Sequence, residues 1–191
     1  MHELIRNRIQ ESILCKSKIT ESDNIIKLIN EISHTIVSAL KKNNKVMFAG
    51  NGGSFSDAFH LAGEFVSRFM FDRDALPALA LGGNNSILTA IGNDYSFDDI
   101  FSRELDALGH EGDVLIAIST SGNSRNILGL IKTAKNKKIQ VYGLTGETGG
   151  CMKDLCPCVC VTSEITARIQ EAHIMIGHII CEIVERKIFK K

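Results

Sequence analysis

The chain has 191 residues, 44% of them hydrophobic, and its 22 Lys and Arg are balanced by 22 Asp and Glu. This suits a single domain, residues 1–191, with a sizeable core, and zero net charge excludes a nucleic-acid binder that works through bulk positive charge. No run of 18 apolar residues is present, so no membrane span is expected, and Met1 to Arg6 lacks the apolar stretch of a secretory leader, which makes the cytoplasm the expected compartment.

Leu4, Ile5, Ile9, Ile13 and Leu14 recur at helical spacing. After Ser22-Asp23, so do Ile25, Ile26, Ile29, Ile32, Ile36, Val37 and Leu40. Residues 1–43 therefore read as a helical arm before the 44–191 α/β core. An arm that precedes the first strand serves no crossover, so a role in oligomerisation is expected.

Lys45 to Ala49 reads as the first strand. The loop Gly50-Asn51-Gly52-Gly53-Ser54 follows, and then a helix from Phe55 to Phe71. Gly52 and Gly53 allow a ligand close to the backbone. On that helix His60 and Glu64 are four apart and share a face, where they could hold a metal or work as an acid/base pair. Most pairs at this spacing are only solvated contacts. This one lies within two turns of a glycine loop.

Pro77 to Leu81 is a strand, Ser86 to Ile91 a short helix, Gly92 to Tyr95 a turn and Asp98 to Leu108 a helix. Val114 to Ile118 is an apolar run that suits a strand buried on both faces of a parallel sheet. It runs into Ser119, Thr120, Ser121, Gly122, Asn123 and Ser124, and a helical pattern follows from Ile127 to Ala134. A strand, hydroxyl-rich loop and helix start make an anion cradle, because first-turn N–H groups and the helix dipole favour a phosphate. A plain helix cap needs one such side chain, not five. The Gly-Lys-Ser/Thr of a P-loop and the spaced glycines of a dinucleotide fingerprint are both missing.

Gln140 to Leu144 is a fourth strand, 145–150 a loop, Cys158 to Thr162 a short last strand, and Ile165 to about Lys187 a long helix carrying Gln170, His173 and His178. Cys151, Cys156, Cys158 and Cys160 cluster without the paired C-x₂₋₄-C spacing of zinc sites, so they read as reduced strand hydrophobes; Cys15 and Cys181 read as core. Strands alternating with helices predict an α/β three-layer sandwich with a central parallel sheet, flavodoxin-like or Rossmann-like. Its two polar loops would flank one crevice at the carboxyl ends of the strands.

Gly50 to Ser54, Ser119 to Ser124, Arg168-Ile169-Gln170-Glu171-Ala172-His173 and Gly92 to Phe101 together resemble the sugar isomerase (SIS) fold, and within it the phosphoheptose isomerases. The resemblance spans nearly the whole chain. It implies ketose–aldose isomerisation of D-sedoheptulose 7-phosphate to D-glycero-D-manno-heptose 7-phosphate through an enediol, an early step towards bacterial surface polysaccharide. It further implies a phosphate held by Ser54, Ser119, Thr120, Ser121 and Ser124, and a sugar site lined by Asn51, Gly52, Gly53, Asn93, Asp94 and Gln170. By the same resemblance His60, Glu64, Gln170 and His178 are zinc ligands, Glu64 and His178 are base and acid, and the assembly is a homotetramer with active sites at subunit interfaces. Gln170 and His178 are about 12 Å apart along one helix, so one metal reaches both only by stretched side chains or from two subunits. The Cys156 to Cys160 run and Thr162-Ser163 depart from the family pattern. The alternative is a non-catalytic SIS-fold regulator that binds phosphosugar or the replication initiator. The initiator-binding relative lacks the counterparts of Glu64 and His178, and this chain has both.

Overall fold

The computed structural model describes residues 1–189. Two helices, α1 (His2–Thr20) and α2 (Asp23–Lys41), precede β1 (Val46–Gly50). Then come α3 (Gly53–Val66), β2 (Ala78–Ala80), α4 (Asn85–Asp94), a 3-10 turn (Phe97–Asp99) running into α5 (Ile100–Leu108), β3 (Val114–Ser119) and α6 (Arg125–Asn136). The chain ends with β4 (Gln140–Gly146), a 3-10 turn (Gly150–Asp154), β5 (Cys158–Val161) and α7 (Thr166–Phe189). Among the described residues no helix is long and apolar enough to cross a membrane.

The strands form one parallel sheet in the order β2-β1-β3-β4-β5. Alternation along the strands builds a core on each face. Val46, Phe48, Val114, Ile116 and Ile118 pack against α1, α2, α3 and α7, whereas Met47, Ala49, Leu115 and Ala117 pack against α4, α5 and α6. This is the expected three-layer sandwich.

The leading arm is not one unit. α2 buries Ile29, Ile32, Ile36, Val37 and Leu40 in the first core, and Ser22 caps it through the Ile25 N–H. α1 buries only Cys15 and Ile19. It is held on α7 by Arg168, which donates to the Arg8 carbonyl at 3.0 Å and pairs with Glu11. Leu4, Ile5, Ile9 and Ile13 stay 48–56% exposed.

Two boundaries differ from the sequence reading. α3 stops at Val66 rather than Phe71. There Arg73 turns back and donates to the carbonyls of Glu64, Phe65 and Ser67, while Glu185 accepts the N–H groups of Phe69 and Met70. An ion pair reached across the fold thus takes over the backbone groups that further helix would have used. α4, in contrast, runs through Gly92 to Asp94, where a turn was expected. Asn84 caps its start by accepting from Ser86 and Ile87, and Tyr95 closes its end on the Ile91 carbonyl at 3.0 Å.

Candidate active site

β1 leads outward to β2 on one side, and β3 leads through β4 to β5 on the other. The gap between the carboxyl ends of β1 and β3 is therefore the topological switch point, where open α/β sheets bind ligands. Both polar loops end there. Each opens a helix that no side chain caps: Gly52 precedes α3, and Ser124 precedes α6 with its hydroxyl turned to Ser119 Oγ at 3.1 Å. α2 and α4 do carry side-chain caps. The hydroxyls of the 119–124 loop are not spent on capping, which favours a cradle over a plain turn.

The loop is stapled from behind. Thr120 O accepts the Gly146 N–H and Gly122 O accepts the Met152 N–H, both at 3.0 Å, and Asn123 Oδ1 accepts the Cys151 N–H at 2.9 Å. Gly122 has φ +66°, and a Cβ there would lie 2.1 Å from the Gly149 carbonyl oxygen, so two loops meet glycine on glycine. Asn51 and Asn126 exchange two amide hydrogen bonds, 2.8 and 2.9 Å, across the switch point. Asn126 is buried and also accepts the Ile127 N–H. Sequence reasoning missed it, and its one signal was an amide in the first turn of a helix. Beside the loop, Thr120, Ser121, Glu147, Thr148, Glu164 and Thr166 line a cavity of about 320 Å³.

α3 and α7 lie side by side and run the same way. Gly53 meets Gln170, Leu61 meets Gly177, His60 meets His178, and the segment after α3 meets Glu185. His60 Nε2 lies 2.8 Å from His178 Nε2 and 3.3 Å from a Glu64 carboxylate oxygen. Metal-ligating atoms of His60, Glu64 and His178 all fall within 4.8 Å of one another. Two imidazoles and a carboxylate are a donor set that suits zinc. Phe69 stacks on the His178 ring, centroids 5.4 Å apart, a contact that the sequence did not signal. Burial, then the neighbouring His60, hold the His178 pKa below the ordinary histidine value, against the pull of Glu64. The lowering favours the neutral ring, the form that a ligand or a proton acceptor needs.

Gln170 is not part of this cluster. Its amide packs on Gly53, seven residues or about two turns of α3 before His60. Asn93 and Asp94 end α4, exposed and hydrogen-bonded to each other at 2.8 Å. Ser54 is buried at the first turn of α3, where Gly50 leaves room for it: a Cβ at Gly50 would lie 2.5 Å from the Ser54 carbonyl oxygen. Asp57 stands one turn before His60. One of its carboxylate oxygens is buried without a partner among the described residues, and burial raises its pKa.

Comparison with known proteins places this geometry. A family model described as SIS domain matches residues 10–146. The chain belongs to the SIS domain family. Relatives within the family share the full length: the chain is 51% identical to phosphoheptose isomerase 2 of Campylobacter jejuni over 100% of its own length and 96% of that protein. It is 52% identical to a phosphoheptose isomerase of Aneurinibacillus thermoaerophilus, with the same coverage. A solved SIS-type structure, a phosphoheptose isomerase from Francisella tularensis, superposes with a TM-score of 0.92 at 34% identity, covering 96% of this chain and 97% of that one.

Proposed function

We propose that the protein is a phosphoheptose isomerase that converts D-sedoheptulose 7-phosphate to D-glycero-D-manno-heptose 7-phosphate. The observation that carries this reading is the convergence of His60, Glu64 and His178 on α3 and α7, in a fold whose 119–124 hydroxyl loop is left uncapped. The full-length similarity to phosphoheptose isomerases supports the substrate.

The 119–124 loop and Ser54 hold the phosphate, which fixes one end of the sugar against the first-turn N–H groups of α3 and α6. Glu64 takes the carbon-bound proton beside the carbonyl and returns it to the neighbouring carbon. His178 moves a proton between the two oxygens of the enediol. His60, Glu64 and His178 would hold zinc, which when bound supplies positive charge to offset the enediolate. Glu64 can be both ligand and base, because a carboxylate has two oxygens and only one faces His60.

Gln170, Asn93 and Asp94 complete the sugar site, with the Gln170 amide held beside Gly53. This reading makes the protein a cytoplasmic homotetramer with active sites at subunit interfaces. The half-exposed apolar stripe of α1 supports it, since such a stripe needs a covering partner.

The test is to incubate the protein with sedoheptulose 7-phosphate, with and without a chelator, and to follow the aldose. Turnover by the wild type and a loss of 100-fold or more in kcat for Glu64→Gln are expected, the usual scale for a general base. No turnover by the wild type, or unchanged turnover in Glu64→Gln, sinks the mechanism.

A further inference from the structure

Cys156 lies at the amino ends of β4 and β5, away from the 119–124 loop, and the isomerase reading uses none of the clustered cysteines. β5 begins only at Cys158, and Cys156 sits before it, buried, with Pro157 between. Cys156 Sγ lies 3.8 Å from Cys158 Sγ. Cys160 shares the strand face of Cys158, and its Sγ is turned to the Cys158 carbonyl at 3.7 Å. All six cysteines are free thiols.

Cys156 also forms part of the wall of a cleft of about 340 Å³ at the amino ends of β4 and β5, with Lys135, Lys138, Leu155 and Pro157. Lys135 donates to the Leu155 carbonyl at 3.0 Å, which holds its ammonium at the cleft. A thiol in the wall of an open, basic cleft, with a second and less buried thiol within 4 Å of it, has the parts of a nucleophile and a resolving cysteine.

We infer that Cys156 and Cys158 are a reversible redox site that takes electrons from the protein to an anionic low-molecular-weight disulfide of the glutathione type. Cys156 Sγ attacks one sulfur of the small disulfide, and its S–S bond breaks. One thiolate leaves and takes the Cys158 proton. Cys158 Sγ then attacks Cys156 Sγ, the mixed disulfide breaks, and the second small thiolate leaves. Two protein thiols lose two electrons, and the small disulfide gains them. The contact between the two thiols lowers the Cys156 pKa ahead of the opposing effect of burial, and Lys135 adds to the lowering; Cys158 keeps its proton until the first step frees a base. A ring closed between positions i and i+2 is strained, so the product is readily reduced again.

Formation of the bond has a structural mark. Gly143 donates to the Pro157 carbonyl, inside the new ring, and Cys158 Sγ overhangs Gly143, where a Cβ would lie 2.5 Å away. Ring closure must move both groups, so the Gly143 amide exchanges faster in the oxidised protein.

The test uses the full chain with Cys151→Ser, which removes the exposed thiol, and oxidised glutathione near pH 7.5. Alkylation, intact mass and peptide mapping are then read. The expected product is a Cys156–Cys158 disulfide with loss of two hydrogens and no retained glutathione, reversed by dithiothreitol, with faster exchange at Gly143. In Cys158→Ser the same treatment leaves a stable glutathione adduct on Cys156, and in Cys156→Ser no internal disulfide forms. A stable adduct on Cys156 with Cys158 present, a bond that uses Cys160, or a fully reduced 156–158 peptide overturns the assignment.

Discussion

Arg73 Nε and Glu185 Oε1 are 3.0 Å apart, and the two side chains are 3% and 1% exposed. One follows α3 and the other sits near the end of α7, so the pair ties together the two helices that carry the proposed chemistry. Arg73 also donates to the Glu64 carbonyl at 2.7 Å, which anchors the backbone of the proposed base. Glu185→Ala leaves the Arg73 charge buried and uncompensated, and a loss of about 3–5 kcal/mol is expected. A urea titration at constant m measures it; a loss below about 1 kcal/mol contradicts the role given to the pair.

The same carboxylate sets an acid limit. Burial raises the Glu185 pKa, but the N–H groups of Met70 and Phe69 and the Arg73 guanidinium outweigh it, and the net shift is downward. Its stabilisation is present above the unfolded glutamate pKa of about 4.3 and is lost as pH falls through the lower folded value. Asp113, held down by Lys45, His110 and Asn44 against its own burial, acts in the same direction. Urea midpoints from pH 7 to 3 should fall steeply below about pH 4. Glu185→Gln should flatten that limb, and an unchanged limb would assign the acid transition to other groups.

Gly53→Ala tests Gln170 without changing it. A Cβ at 53 would lie 2.5 Å from Gln170 Nε2, the free end of a flexible side chain, so the amide moves and the fold survives. A fall in kcat/KM of about tenfold is expected, matching one lost hydrogen bond to substrate. Combined with Gln170→Ala it should add little further. Full additivity would mean that Gly53 acts on something other than Gln170.

His60→Ala should abolish zinc retention. Elemental analysis of dialysed protein is expected to find about one zinc per chain in the wild type and none in the variant, because two remaining ligands hold the ion poorly. Added zinc should restore activity to chelated wild type but not to His60→Ala. Equal metal content in both proteins assigns the ion to another place.

Asn126→Ala removes one half of the amide pair with Asn51 and leaves the half-buried Asn51 amide and the buried Ile127 N–H without that partner, at a cost of about 1–3 kcal/mol. The larger effect is expected in KM, since the pair joins the two polar loops proposed to hold the phosphate. An unchanged KM with lowered stability would confine Asn126 to packing.

Much of this was legible in the residue pattern. Strand-loop-helix polarity switches located both loops, and the i, i+4 relation of His60 and Glu64 survived folding intact. Three things were not legible, and each for the same reason: it depends on a partner far along the chain. α3 ends where Arg73 finds Glu185, 112 residues away. Asn126 acquires its importance from Asn51, and His178 stacks on Phe69 only because α3 and α7 happen to run side by side. Local propensity carries none of that information. The last strand starts at Cys158 as its pattern predicts, and Pro157 leaves Cys156 outside it.

Gly177 meets Leu61 between α3 and α7; a Cβ at 177 would lie 2.5 Å from a Leu61 methyl. Leu61 is only 1% exposed and cannot swing away. The bite of the proposed ligand set, the 2.8 Å between His60 and His178, is thus governed by a missing carbon atom one residue from a ligand. A single methyl at that spot would act as a wedge. It would disarm the cluster while leaving every proposed ligand in the chain, so a ligand inventory alone does not identify a working member of this family.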